Sequence, residues 1–120
     1  MVTYRMIIPS RSVMLAANVR KAETLKDRMI GLLGRNALPE DEGLWIVPCK
    51  SVHTIGMKFP IDVIFIDKSL SVVRVVHALS PGRMTRIFLT AKSVLELAAG
   101  VARRHDISLG DRLQAIPLSG

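Results

Sequence analysis

The sequence predicts an α+β domain built from five or more short strands, one clear helix and one short helix. Three observations point there. Short apolar runs recur along the chain, each closed by Pro, Gly or an Asp-containing turn, which is how short strands are punctuated. One segment alone, 24–34, carries a sustained helical period. The 120 residues are 49% hydrophobic, yet only Tyr4, Trp45, Phe59, Phe65 and Phe88 are aromatic, so the core is mainly aliphatic. That length fits a single domain, 1–120.

Residues 4–8 and 12–18 read as two strands, or one interrupted strand, around Pro9-Ser10-Arg11. Thr24 followed three residues later by Asp27 resembles a capping box and starts the helix. Leu25, Met29, Leu32 and Leu33 then fall on one apolar stripe, and Gly34 is the expected stop, with Arg35 favouring the negative end of the dipole. Gly31 inside this helix reads as a site of close packing. Leu38 to Gly43 is a turn holding the chain's acidic run, Glu40-Asp41-Glu42. Leu44 to Val47 and Ser51 to Ile55 read as strands, Gly56 to Pro60 as a loop, and Ile61 to Ile66 and Val72 to Ala78 as a hairpin about Asp67-Lys68-Ser69. Leu79 to Arg86, with Pro81-Gly82, is the least structured-looking part of the chain and reads as a loop. Ser93 to Leu97 is the next strand. Gly100 to His105 is one or two helical turns, with His105 where a helix end favours a protonated ring and Asp106 in the left-handed position. Gly110-Asp111 turns into a last strand, Arg112 to Leu118.

Cys49 is the single cysteine, which excludes an intrachain disulfide and the paired-cysteine zinc motifs. A reducing, cytoplasmic location follows as an expectation, since the first apolar stretch is short for a signal peptide and meets Arg11. No run approaches the roughly 20 residues of a membrane-spanning helix. With 17 Lys and Arg against 10 Asp and Glu, the net charge is +7. Lys68, Arg74, Arg83, Arg86 and Lys92 lie between Asp67 and Glu96 without an intervening acid. Such a stretch can attract phosphates, but few aromatics accompany it, so a solvated surface is favoured over nucleic-acid binding. Phosphate-binding glycine loops, the Gly-x-Ser-x-Gly elbow, His-Glu-x-x-His and the dinucleotide fingerprint are all missing, and no cofactor is expected.

Cys49 and His53 are the obvious reactive pair, a thiol and an imidazole. In an extended segment four residues separate them by about 13 Å, so they are weak candidates for a metal site or nucleophile. Asp62 opens an apolar strand and needs a partner there; a hydrogen-bonded structural aspartate is the default. If 56–60 form a five-residue hairpin loop, Thr54 faces Asp62; a register slip of one residue brings His53 opposite it, as an acid–base pair requires. Met57 and Lys58 sit at the tip of that loop. Glu96 alternates with Leu95 and Leu97, so its carboxylate is expected on an exposed face. His77 and His105 are read as structural.

Taken together, Arg28, Gly31-Leu32-Leu33-Gly34-Arg35, Gly43-Leu44-Trp45, the stretch from His53 to Asp67, Leu95 to Gly100 and Gly110-Asp111 resemble a small prokaryotic family, domain of unknown function 192. The resemblance runs from about residue 12 to the C-terminus. It implies a curved, mostly antiparallel sheet or partial β-barrel with two short helices, and no particular reaction. Gly56 stands where the family's better-known branch has Trp, which puts any ligand contact made by that aromatic in doubt here. Many relatives look exported, and a role shared between compartments fits binding better than a cytosolic cofactor. The leading expectation is a small binding or interaction module with a pocket around residues 53–62, using His53, Thr54, Met57, Lys58, Asp62 and Glu96 toward a small molecule or protein partner. The alternatives are a hydrolase-like or metal-assisted enzyme pairing His53 with Asp62 or Glu96, and a basic module for nucleic acid or an acidic partner.

Overall fold

The computed structural model describes residues 2–118. Strands β1 (Thr3–Ile8) and β2 (Val13–Ala22) are joined by a 3-10 turn at Pro9–Arg11. There follow α1 (Leu25–Ile30), β3 (Glu42–Ile46), β4 (Ile61–Ile66), β5 (Val72–Leu79), β6 (Ser93–Ala98), α2 (Val101–Arg104) and β7 (Gln114–Pro117). The strands form one seven-stranded sheet in the order β5-β4-β6-β3-β2-β1-β7. Every neighbouring pair is antiparallel except β2 with β3. A parallel pair needs a crossover connection, and this one carries α1, which is why a helix is placed across the sheet rather than at its edge.

The β4–β5 hairpin turns where the sequence places it. Asp67 Oδ1 accepts from the Ser69 and Ser71 amides at 2.8 and 2.9 Å. Beyond that turn the two ends of the sheet approach each other. The Val72 amide donates to Asp111 O at 2.8 Å, and those of Gly110 and Leu113 to Val72 O and Leu70 O at the same distance. The sheet remains open but curls on itself, as the expected curved sheet or partial barrel.

Alternation along β3, β4 and β6 sorts their apolar side chains into two layers. Trp45, Ile64, Ile66, Leu95 and Leu97 pack with Val101 and Ala102 of α2. Leu44, Ile46, Ile61, Val63, Phe65 and Val94 pack with Leu32 beyond α1. Both faces of the sheet centre are therefore covered, and each side chain such as Leu44 or Phe65 that leaves water contributes about 1.5–3 kcal/mol. Asp62 is fully buried on the α2 side. Its carboxylate accepts from the amides of Ala78 at 2.8 Å, Gly100 at 3.0 Å and Ala102 at 2.9 Å. It is the hydrogen-bonded structural aspartate, tying the end of β5 and the start of α2 to β4.

Several local expectations are corrected. The Thr24 cap is present, its Oγ1 accepting from the Asp27 amide at 3.0 Å, but α1 stops at Ile30, with Gly31 rather than Gly34 at its end, at a φ of 50° that favours glycine. Six residues make fewer than two turns, so the anticipated stripe breaks up. Leu32 is buried while Leu25 and Met29 are 66% and 68% exposed. Ser51 to Ile55 is no strand; it touches a neighbour's ladder only at the His53–Met84 bridge. Asp62 lies across from Leu97 of β6, so neither the hairpin placing Thr54 against it nor the slipped register with His53 forms. The Leu79 to Arg86 segment is joined to residues 52–54 by backbone hydrogen bonds. The Thr54 amide donates to Arg83 O at 2.8 Å, Gly82 to Thr54 O at 2.9 Å and Thr85 to Val52 O at 2.8 Å. Asp106 takes the expected left-handed conformation. His105 does not gain a favoured proton: burial and the guanidiniums of Arg104 and Arg11 push its ring below the ordinary value.

Candidate functional site

Glu96 lies at the centre of the sheet, with Leu44 of β3 on one side and Val63 of β4 on the other. It shares the face of Val94, which is roofed by α1 and the loops after β3. The side chain expected at the surface is only 4% exposed. Its carboxyl has no hydrogen-bond or ion-pair partner among the described residues, and its oxygens open onto a cavity rather than being sealed. Apolar neighbours on both sides leave desolvation unopposed, and burial pushes its pKa from 4.5 up to about 7. Ionised and neutral forms are then comparably populated near neutral pH.

Above this carboxyl opens a pocket of about 140 Å³, walled on one side by residues 28–33 and on the other by the loop from Pro48 to His53, with Met57 closing one end. Arg28 donates from Nη1 to Pro48 O at 3.3 Å, which joins the two walls. Its Nε is buried and has no hydrogen-bond partner. The Cys49 backbone is held by its amide to Lys92 O at 3.0 Å, and its thiol donates to Ser51 O at 3.0 Å. Burial pushes the Cys49 thiol up; the Glu96 carboxylate adds to this and Arg28 opposes it. A thiol raised this way is a poor nucleophile. Met29, Ile30 and Leu33 stand exposed at the mouth. A cavity of comparable volume accommodates a benzene-sized guest, so the pocket suits a small organic molecule. No three His, Cys, Asp or Glu side chains cluster as a metal centre would need, among the described residues.

Of the residues singled out from sequence, Cys49, His53, Met57 and Glu96 line this pocket. The bend that brings Cys49 and His53 to one cavity comes from the irregular course of the chain after β3. Thr54 is buried nearby with its hydroxyl engaged, donating to Ser80 O at 2.6 Å and accepting from the Arg83 amide at 3.0 Å. Asp62 points to the opposite face of the sheet. Lys58 reaches away from the pocket lining to Asn36 Oδ1 at 3.3 Å. Sequence reasoning missed Arg28, Ile46 and the 29–33 wall as site residues. Arg28 and Gly31 to Leu33 do stand among the residues that carry the family resemblance, which is their one signal in the sequence. For Glu96 the signal lies beside it: Val94, Leu95 and Leu97 are apolar on both parities of the strand, the mark of a strand covered on both faces.

The family model DUF192, described as Uncharacterized ACR, matches residues 6–115. Two solved structures share the fold. A protein of unknown function from Novosphingobium aromaticivorans DSM 12444 superposes with a TM-score of 0.77 at 20% identity, covering 94% of this chain and 84% of that one. A protein from Sinorhizobium meliloti 1021, described as a "putative transcription regulator", has a TM-score of 0.79 at 26% identity, covering 95% and 92%. No curated protein matches the chain.

Proposed function

We propose, for a chain that belongs to the DUF192 family, that it is a binding module for a small molecule held in the pocket floored by Glu96. The observation that carries this reading is the carboxyl itself, opening onto the cavity from a residue only 4% exposed on the interior strand β6, with no partner among the described residues. Leaving such a group unanswered costs about 1–3 kcal/mol or more, and a ligand that donates a hydrogen bond to it recovers that cost. His53 and Met57 contribute to the wall, while Thr54 and Asp62 support it by fixing the 80–83 segment and β4. The test is an amide-resolved NMR titration with small amines, amides and carboxylates. Shifts concentrated at Cys49, Val52 and Glu96, and lost in Glu96→Leu, are expected. Shifts scattered over the surface, or equal in the variant, would count against the reading.

A second reading is favoured by one observation: an acid titrating near 7 shares the pocket with the His53 imidazole, a combination suited to proton transfer at neutral pH. Turnover of small esters or amides that disappears in His53→Ala, with ligand affinity retained, would bring it ahead. The description of the Sinorhizobium protein raises nucleic acid as a partner. Here Arg74 and Arg86 gather at the Phe88 ring, 5.7 and 5.0 Å from its centre, which supports a local positive patch able to attract phosphates. Binding to single-stranded nucleic acid that ignores added salt would count against it. The free Cys49 supports a reducing, cytoplasmic home.

A further inference from the structure

Glu96 and Arg28 are two charged groups lining the pocket whose hydrogen-bonding capacity is not used up among the described residues. In Arg28, Nη1 is engaged by Pro48 O and Nε is sealed without an acceptor, while Nη2 has no hydrogen-bond partner among the described residues. Both act electrostatically on the Cys49 thiol, in opposite directions, so the two charges converge on one small space without forming an ion pair with each other. We propose that the ligand is a small zwitterion, its ammonium group received by Glu96 and its carboxylate by Arg28.

This inference rests on the pocket reading above. A lone anion would satisfy Arg28 and be repelled by Glu96; a lone cation would meet the reverse. A molecule carrying both charges answers both and brings no net charge into a poorly solvated site. The Nη2 of Arg28, which no hydrogen bond engages among the described residues, can donate a charge-assisted hydrogen bond to a carboxylate held in the pocket that Arg28 lines. The volume of about 140 Å³ is that of a cavity which takes benzene, a guest of about six heavy atoms. Short amino acids of about five to seven heavy atoms fit that range. Ile46, Val52 and Met57 line the same space and suit the methylene groups between the charges.

The titratable and charged groups facing the site are Arg28 beyond the start of α1, Cys49 and His53 on the loop, and Glu96 on β6. Burial raises Cys49, which stays a thiol over this range. Ammonium binding draws on the ionised form of Glu96, so affinity should rise roughly tenfold from pH 6 to pH 8.

The experiment titrates the full chain with glycine, β-alanine and γ-aminobutyrate at both pH values, with acetate and propylamine as singly charged controls, read by amide shifts and calorimetry. One of the three zwitterions should bind at least about tenfold tighter than either control, the preferred spacing reporting the gap between the two protein groups. Glu96→Gln should abolish both the ammonium preference and the pH dependence. His53→Gln should leave the pH dependence in place, and Arg28→Met should remove the carboxylate preference. Acetate or propylamine matching the best zwitterion would overturn the inference. If other fragments shift the pocket amides and no zwitterion does, the inference fails while the pocket reading stands. If no small molecule shifts them, both fail.

Discussion

Replacing Glu96 with Gln keeps the size of the side chain and removes its titration. The carboxyl ionises near 4.5 in the open chain and at about 7 in the fold. Its folded pKa is raised, so the fold retains a proton that the unfolded chain has released. The contribution is favourable in full below pH 4.5 and is lost as pH rises through about 7. At about 1.4 kcal/mol per pH unit, this one group makes the fold about 3 kcal/mol less stable above pH 8 than in acid, about 2.5 kcal/mol of it between pH 5 and pH 8. Urea unfolding of both proteins across that range gives the measurement. Other titrating groups cancel in the difference, so Glu96→Gln should gain on the parent by about 2.5 kcal/mol from pH 5 to pH 8. A difference constant to within about 0.5 kcal/mol would refute the claim that this carboxyl is desolvated and unpartnered.

Asp62→Asn leaves one oxygen for three backbone donors and should cost about 2–4 kcal/mol, with faster hydrogen exchange at Ala78, Gly100 and Ala102; unchanged exchange there would contradict the tie between β5 and α2. Leu32→Ala should cost about 2–4 kcal/mol, whereas Met29→Ala, on the exposed side of α1, should stay within about 0.5 kcal/mol; equal losses would restore the continuous stripe. Alkylation of Cys49 at pH 7.5 should be slower in the native protein than in urea, because burial raises the thiol. It should speed up in Glu96→Gln, where the carboxylate that adds to that rise is gone, and an equal or slower rate would sever the coupling.

The apolar run Ile61 to Ile66, the Asp67 turn and the Thr24 cap were legible because each depends on neighbours within a few residues. What escaped was set by distance along the chain. The course of 51–55 follows bonds from the 82–88 segment, such as the Phe88 amide to Lys50 O at 2.9 Å, which local propensity does not report. The helix stripe misled because Leu25 and Met29 have helical spacing without a surface opposite them. Alternation misplaced Glu96 because it assumes a strand with one wet face, and β6 has none. The pocket joins residues from α1, the β3–β4 connection and β6, so Cys49, His53, Met57 and Glu96 could be picked out from sequence, but their meeting with Arg28 is a product of the fold.

The position of β6 between β3 and β4 also orders events during synthesis. A ribosome releases β3 and β4 well before β6, so until residues 93–98 emerge these strands face each other across a missing rung. The β4–β5 hairpin can form early, being local, but the inner edges of β3 and β4 stay unsatisfied and open to unwanted pairing. The strand that closes this gap also bears Glu96, so the nascent chain completes its sheet and acquires the floor of its pocket in the same late step.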